Sequence, residues 1–166
     1  MIQDGKVLFK QALRQIFALV GLALLLSVGV NLWRSDGIPL VGDWSADARF
    51  SDDAGESLVV SLEEVRGLFE RGDVLFVDAR PESQYDEGHI QGALNLPFQE
   101  ADGYFMDAAD RLSAAGAIVT YCDGETCDLS HDLALFLKDM GMENVRVLVN
   151  GWTVWQEAGL PTEGGN

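Results

Sequence analysis

The sequence predicts an α/β domain with a largely parallel sheet covered on both faces, preceded by one N-terminal transmembrane helix. Three observations predict it. From Ser57 onward, short β-branched runs alternate with helical patterns, which is the mark of helices packed on a parallel sheet. Val74-Leu75-Phe76-Val77-Asp78 and Ala117-Ile118-Val119-Thr120-Tyr121 read as strands buried on both faces. Before them, the 19 residues from Gln15 to Trp33 carry no formal charge and consist mainly of Leu, Val, Ala and Gly.

As a helix those 19 residues would span roughly 28 Å, close to the hydrocarbon thickness of a bilayer. Leu22, Leu24, Leu25 and Leu26 fall on all its faces, so no amphipathic stripe marks a soluble core helix. Trp33 and Arg34 suit the interface at the far end. A cleaved signal peptide shares the basic start, and Ser27-Val28-Gly29 is an imperfect small-x-small cleavage site. The length of the apolar stretch favours a retained anchor. Lys6, Lys10 and Arg14 precede it, which places residues 1–14 in the cytoplasm and the rest of the chain beyond the membrane, in a periplasm or similar compartment where disulfides are permitted. Residues 15–33 are then the membrane segment, 34–56 a Gly-, Asp- and Ser-rich linker, and 57–166 the folded domain.

Within the domain, Leu58-Val59-Val60 is a short strand candidate. Ser61-Leu62-Glu63-Glu64 has the pattern of a capping box, and Leu62, Val65, Leu68 and Phe69 follow at helical spacing up to Gly72. Pro81 opens a short helix through Glu87. Ala93–Leu96 forms another short strand and Tyr104–Ala114 another helix. After the second buried strand, a polar loop from Cys122 to Asp128 leads into a helix ending near Gly141. Val145–Leu148 and Gly151–Ala158 complete the alternation.

The charge balance excludes some partners. The 166 residues hold 11 basic against 27 acidic side chains, a formal net charge of −16. Residues 1–35 carry +3 and the remainder −19. Such an acidic domain is a poor match for a nucleic-acid backbone, which needs clustered Lys and Arg. Two cysteines are too few for a disulfide scaffold. Cys122, however, ends a buried strand beside a helix N-terminus, where backbone N–H groups can stabilise a thiolate or hold the anionic part of a substrate. An inert buried thiol is the bland alternative.

Three separated segments resemble rhodanese-like domains. They are Val77-Asp78-Ala79-Arg80-Pro81-Glu82 with Tyr85 and Gly88-His89-Ile90-Gln91-Gly92-Ala93-Leu94-Asn95-Leu96-Pro97; then Val119-Thr120-Tyr121-Cys122; then Val147-Leu148-Val149-Asn150-Gly151-Trp152 with Trp155 and Ala158-Gly159-Leu160-Pro161. The likeness covers roughly 57–163. It implies a mostly parallel five-stranded sheet flanked by helices, and a sulfurtransferase chemistry. The cysteine takes a sulfur atom from a donor, becomes a persulfide, and passes the outer sulfur to a thiol or other nucleophilic acceptor. Carried over, Cys122 is the nucleophile, and Asp123, Gly124, Glu125, Thr126 and Cys127 form the substrate-binding loop around it. Asp78, Arg80 and His89 match signature positions with a structural role. No cofactor is implied.

The loop departs from the pattern. It holds three carboxylates and no base, where many relatives have a Gly- and Arg-containing loop that favours anionic donors. Two unit charges about 8 Å apart interact by about 2 kcal/mol at an effective dielectric near 20. The acidic loop therefore predicts poor thiosulfate turnover and a donor and acceptor that are proteins rather than small anions. Related phosphatases place an Arg where this chain has Asp128, which excludes phosphate-ester hydrolysis; Asp128 is expected to cap the helix instead. Cys127 is either a small buried helix residue or a resolving thiol, the latter giving a thiol–disulfide redox module. A non-catalytic recruiting domain is the remaining alternative. Cys127 and His131 share a spacing of four, but with Cys122 they make only three ligands, so no metal is expected and His131 reads as a surface residue.

Overall fold

The computed structural model describes residues 2–34, 37–38, 45–124 and 127–164, with side chains from residue 9 onward. It divides into two units, Met1–Asp43 and Trp44–Asn166. The first is dominated by α1 (Ile2–Trp33), whose stretch Phe9–Trp33 is long and apolar enough to cross a membrane. Its large apolar side chains, such as Leu25 and Leu32, are exposed. At its end, the Asn31 side chain bonds both the N–H and the carbonyl of Ile38 at 2.8 and 2.7 Å.

The second unit has a sheet of four parallel strands: β1 (Val74–Asp78), β3 (Leu94–Asn95), β4 (Ala117–Tyr121) and β5 (Val145–Leu148), in the order β3-β1-β4-β5. Their register sets Asp78 opposite Asn95 on one side and Tyr121 on the other. The expected five-stranded sheet is thus four-stranded. Leu58–Val60 lies beside β5 but contributes a single bridge, Val59 to Val147. Ser61 begins a helix cap immediately afterwards, so too few residues remain extended to build a ladder. A small antiparallel pair, β2 (His89–Ile90) with β6 (Thr162–Glu163), ties the closing segment to the domain.

Helices cover both faces. On one side α5 (Ala101–Ala114) and α6 (Leu129–Asp139) pack Phe105, Leu112, Leu133 and Leu137 against Val77, Ile118 and Val147. On the other, α3 (Leu62–Arg71) and α7 (Gly151–Glu157) pack Val65 and Trp155 against Phe76, Val119 and Tyr121. Alternate strand residues supply the two cores, as the period-two pleat dictates. Between α3 and α5, the short α4 (Glu82–Glu87) follows Pro81. Ser61 caps α3 by accepting the Glu64 N–H at 3.2 Å, and Gly72 ends it in the left-handed region at φ 73°. Gly151 is required by close approach, because a Cβ there would lie 2.6 Å from Tyr121 Cβ.

The second half of the expected 34–56 linker is folded. Ser45 caps α2 (Ala46–Arg49), Phe50 is only 1% exposed, and Ser51 bridges Ser57. Lys138 of α6 bonds Asp52 at 2.6 Å and thereby holds that carboxyl below its ordinary range. His131 belongs to the same anchor rather than to the free surface. Its Nε2 lies 2.9 Å from the Ser51 carbonyl and its ring meets Phe50 edge-on. One buried aromatic among Asp, Ser and Ala residues decided this packing, and average composition concealed it.

Candidate active site

The site is assembled where β4 ends. Buried β4 carries the chain to Cys122, which is 1% exposed and belongs to the core under α5 and α6. Its carbonyl accepts the Trp152 N–H at 3.1 Å, so the start of α7 fixes the backbone at Cys122. Ser130, in the first turn of α6 and also 1% exposed, sets its Oγ 3.3 Å from Cys122 Sγ. Thr120 anchors that turn by donating its hydroxyl to the Ser130 carbonyl at 2.7 Å. A buried hydroxyl facing sulfur near a helix N-terminus is a local environment that favours a thiolate.

The loop itself is tied back to the protein. The Cys122 and Cys127 sulfurs are joined, with their Cα atoms 6.5 Å apart. Gly124, at φ 92°, donates its N–H to Asn150 Oδ1 at 2.8 Å, and Cys127 donates its N–H to the Gly124 carbonyl at 3.2 Å. Asn150 holds a left-handed conformation, φ 51°, rare for a residue with a side chain. In this state the amides of Gly124 and Cys127 are therefore spent inside the protein and do not point at a shared anion position. Glu125 and Thr126 lie outside the described residues.

The carboxylates have partners too. Asp123 Oδ1 accepts the Thr153 hydroxyl at 2.6 Å. Asp128 stands at the N-cap of α6 but makes no side-chain cap bond; it pairs instead with Arg49 at 3.2 Å. The loop expected to lack a base thus has one delivered from α2, far away in sequence. Arg49, Ala46 and Phe50, with Val149, Asn150 and Val154, also line a cavity of about 350 Å³ beside the loop.

The signature residues support the site from the other side. Arg80 and Asp78 form a buried pair, Nη2–Oδ2 2.6 Å and Nε–Oδ1 3.0 Å, and Arg80 also donates to the Gly88 carbonyl at 2.7 Å. Its guanidinium lies over the Trp152 ring at 4.7 Å, which explains an aromatic at the start of α7. Burial works to lower the Arg80 pKa, but the Asp78 carboxylate outweighs it and the net shift is upward. His89 stacks on Tyr85 and bonds its carbonyl at 2.8 Å through Nδ1. These residues shape the turn into β2 and do not touch Cys122.

Comparison with known proteins agrees with this architecture. A family model described as a rhodanese-like domain matches residues 61–158. The chain belongs to the rhodanese family. It is 29% identical over 104 residues to the thiosulfate sulfurtransferase GlpE of Actinobacillus succinogenes, covering 63% of this chain and 88% of that one. The human single-domain sulfurtransferase TSTD1 superimposes with a TM-score of 0.50 at 25% identity, over 61% of this chain and 96% of that one. The rhodanese-like chain is also 38% identical over 96 residues to the HTH-type transcriptional regulator Rv0324 of Mycobacterium tuberculosis, covering 58% of this chain but only 40% of the regulator's length.

Sequence reasoning missed Ser130, Asn150 and Arg49. Ser130 had a readable signal, a lone hydroxyl on the helix face carrying Leu133, Ala134 and Leu137. Asn150 had a weaker one, a residue tolerant of left-handed backbone before a glycine. Arg49 had none, because its role depends on the fold of a segment read as a linker.

Proposed function

We propose that this rhodanese-like protein is a membrane-anchored sulfurtransferase that forms a persulfide on Cys122 and passes sulfur to a thiol or other nucleophilic acceptor. The observation that carries the reading is the buried Cys122 sulfur 3.3 Å from the Ser130 hydroxyl at the first turn of α6. A thiolate there attacks the outer sulfur of a donor, the donor's leaving group departs with its electron pair, and Ser130 donates to the sulfur that carries the charge. The family and its sulfurtransferase relatives support the reaction class. The carboxylates Asp123 and Glu125, with Asp128 offset by its Arg49 pair, disfavour dianions, so thiosulfate is a poor donor and a protein persulfide or thiol a better partner. Residues 15–33 anchor the chain in the membrane, and Lys6, Lys10 and Arg14 hold the N-terminus in the cytoplasm.

The test uses the full chain in detergent with Cys127 replaced by Ser, so that a persulfide persists. A sulfane donor adds the mass of one sulfur atom at Cys122, and a small dithiol removes it. Thiosulfate adds it more slowly than a monoanionic thiosulfonate. A chain that never gains sulfur overturns the reading, and thiosulfate acting as the faster donor overturns the electrostatic argument.

A further inference from the structure

Cys127 sits where it can finish a reaction that Cys122 begins. The two Cα atoms are 6.5 Å apart, within the range a disulfide bridges, and the sulfurs are joined. Gly124 N–H goes to Asn150, Cys127 N–H to Gly124, and the Cys127 carbonyl lies 3.3 Å from Cys122 Sγ. Cys122 is almost wholly buried while Cys127 is only half-buried. An external thiol therefore reaches the inner sulfur of a Cys122 persulfide less readily than the built-in thiol does.

From this arrangement we infer that the protein is a sulfane-sulfur reductase, in which Cys127 displaces hydrosulfide from a persulfide on Cys122. The inference rests on Cys122 forming a persulfide. In the first step the Cys122 thiolate takes the outer sulfur of a monoanionic donor and releases the donor's remainder, for a thiosulfonate a sulfinate. In the second, Cys127 sulfur bonds to Cys122 sulfur, the bond to the outer sulfur breaks, and that sulfur leaves as hydrosulfide carrying the Cys127 proton. The outer sulfur is reduced and the two cysteines are oxidised to the disulfide. A dithiol reductant then restores both thiols and is itself oxidised to a disulfide. Orientation favours the internal route, because well-placed neighbouring groups reach effective molarities of about 10⁵ M or more. The acidic loop adds to this preference by disfavouring small anionic thiolates from outside.

The experiment takes the reduced full chain in detergent, freed of reductant, and adds one equivalent of benzenethiosulfonate. Its own product is a sulfinate, so any hydrosulfide comes from the protein. The expected result is one hydrosulfide per chain and a protein mass lower by two hydrogens, restored by a dithiol. Cys127→Ser and Cys127→Ala chains, checked for native circular dichroism, keep the added sulfur and release no hydrosulfide above buffer. Wild-type protein that retains the added sulfur without releasing hydrosulfide overturns this inference and leaves persulfide formation standing. Hydrosulfide released equally by the Cys127 variants also overturns it. Failure of every chain to take up sulfur or release hydrosulfide removes the persulfide reading itself.

Discussion

Replacing Ser130 by Ala in a Cys127→Ser chain removes one bond to the Cys122 sulfur and little else. The Thr120 anchor survives, because it uses the Ser130 carbonyl, and the site is 1% exposed, so an alanine fits without a solvent gap. A hydrogen bond to a charged group contributes about 1.5–3 kcal/mol. Sulfur is a soft acceptor and the contact is 3.3 Å, so the lower end applies. That corresponds to a rise of about one pKa unit for the Cys122 thiol, and about a tenfold loss of thiolate at a pH below the midpoint. The assay is the pH dependence of alkylation by iodoacetamide, followed by mass. Its midpoint reports ionisation even where burial slows the absolute rate. An unchanged midpoint in a variant that keeps its melting temperature refutes the reasoning and leaves Ser130 a packing residue.

Two further outcomes follow from buried polar groups. Arg80→Ala leaves the Asp78 carboxylate buried without its partner, which costs about 3–5 kcal/mol and shows as a lowered urea midpoint. In Tyr121, burial first and the nearby Asp78 second push the phenol well above its ordinary value. Its folded pKa is therefore raised, so its contribution is complete below the unfolded value of about 10 and is lost as pH rises beyond that point. Urea midpoints should fall above that pH in the wild type and fall less steeply in Tyr121→Phe.

Legibility in the sequence followed the range of the interactions. β1 and β4 were readable because both faces of each are buried, which leaves a short apolar run bounded by turn residues, and β5 because Val145 and Val147 alternate with the exposed Arg146. α3 was readable because its start and stop are local, in Ser61 and Gly72. Leu58–Val60 had strand composition, but pairing extends only as far as a partner and a following cap allow, and neither is local. The pair β2–β6 joins residues over 70 positions apart, through two-residue strands that have no periodicity to detect. In the site, Cys122 was legible from its place after a buried strand. Its surroundings were not, since Arg49, Asn150 and Ser130 reach the loop from three different elements. The amide cradle was expected from the loop alone, and the structure gives two of those amides to protein acceptors instead.

That last difference bears on how the loop handles charge. A cradle of free amides would stabilise an anion whatever its source, but here Gly124 and Cys127 have no free N–H to offer while the cysteines are joined. Asp128 is held by Arg49 at the surface, where screening keeps the pair's contribution small. For a charge on the reduced Cys122 sulfur, the described surroundings therefore offer the Ser130 hydroxyl and the first turn of α6.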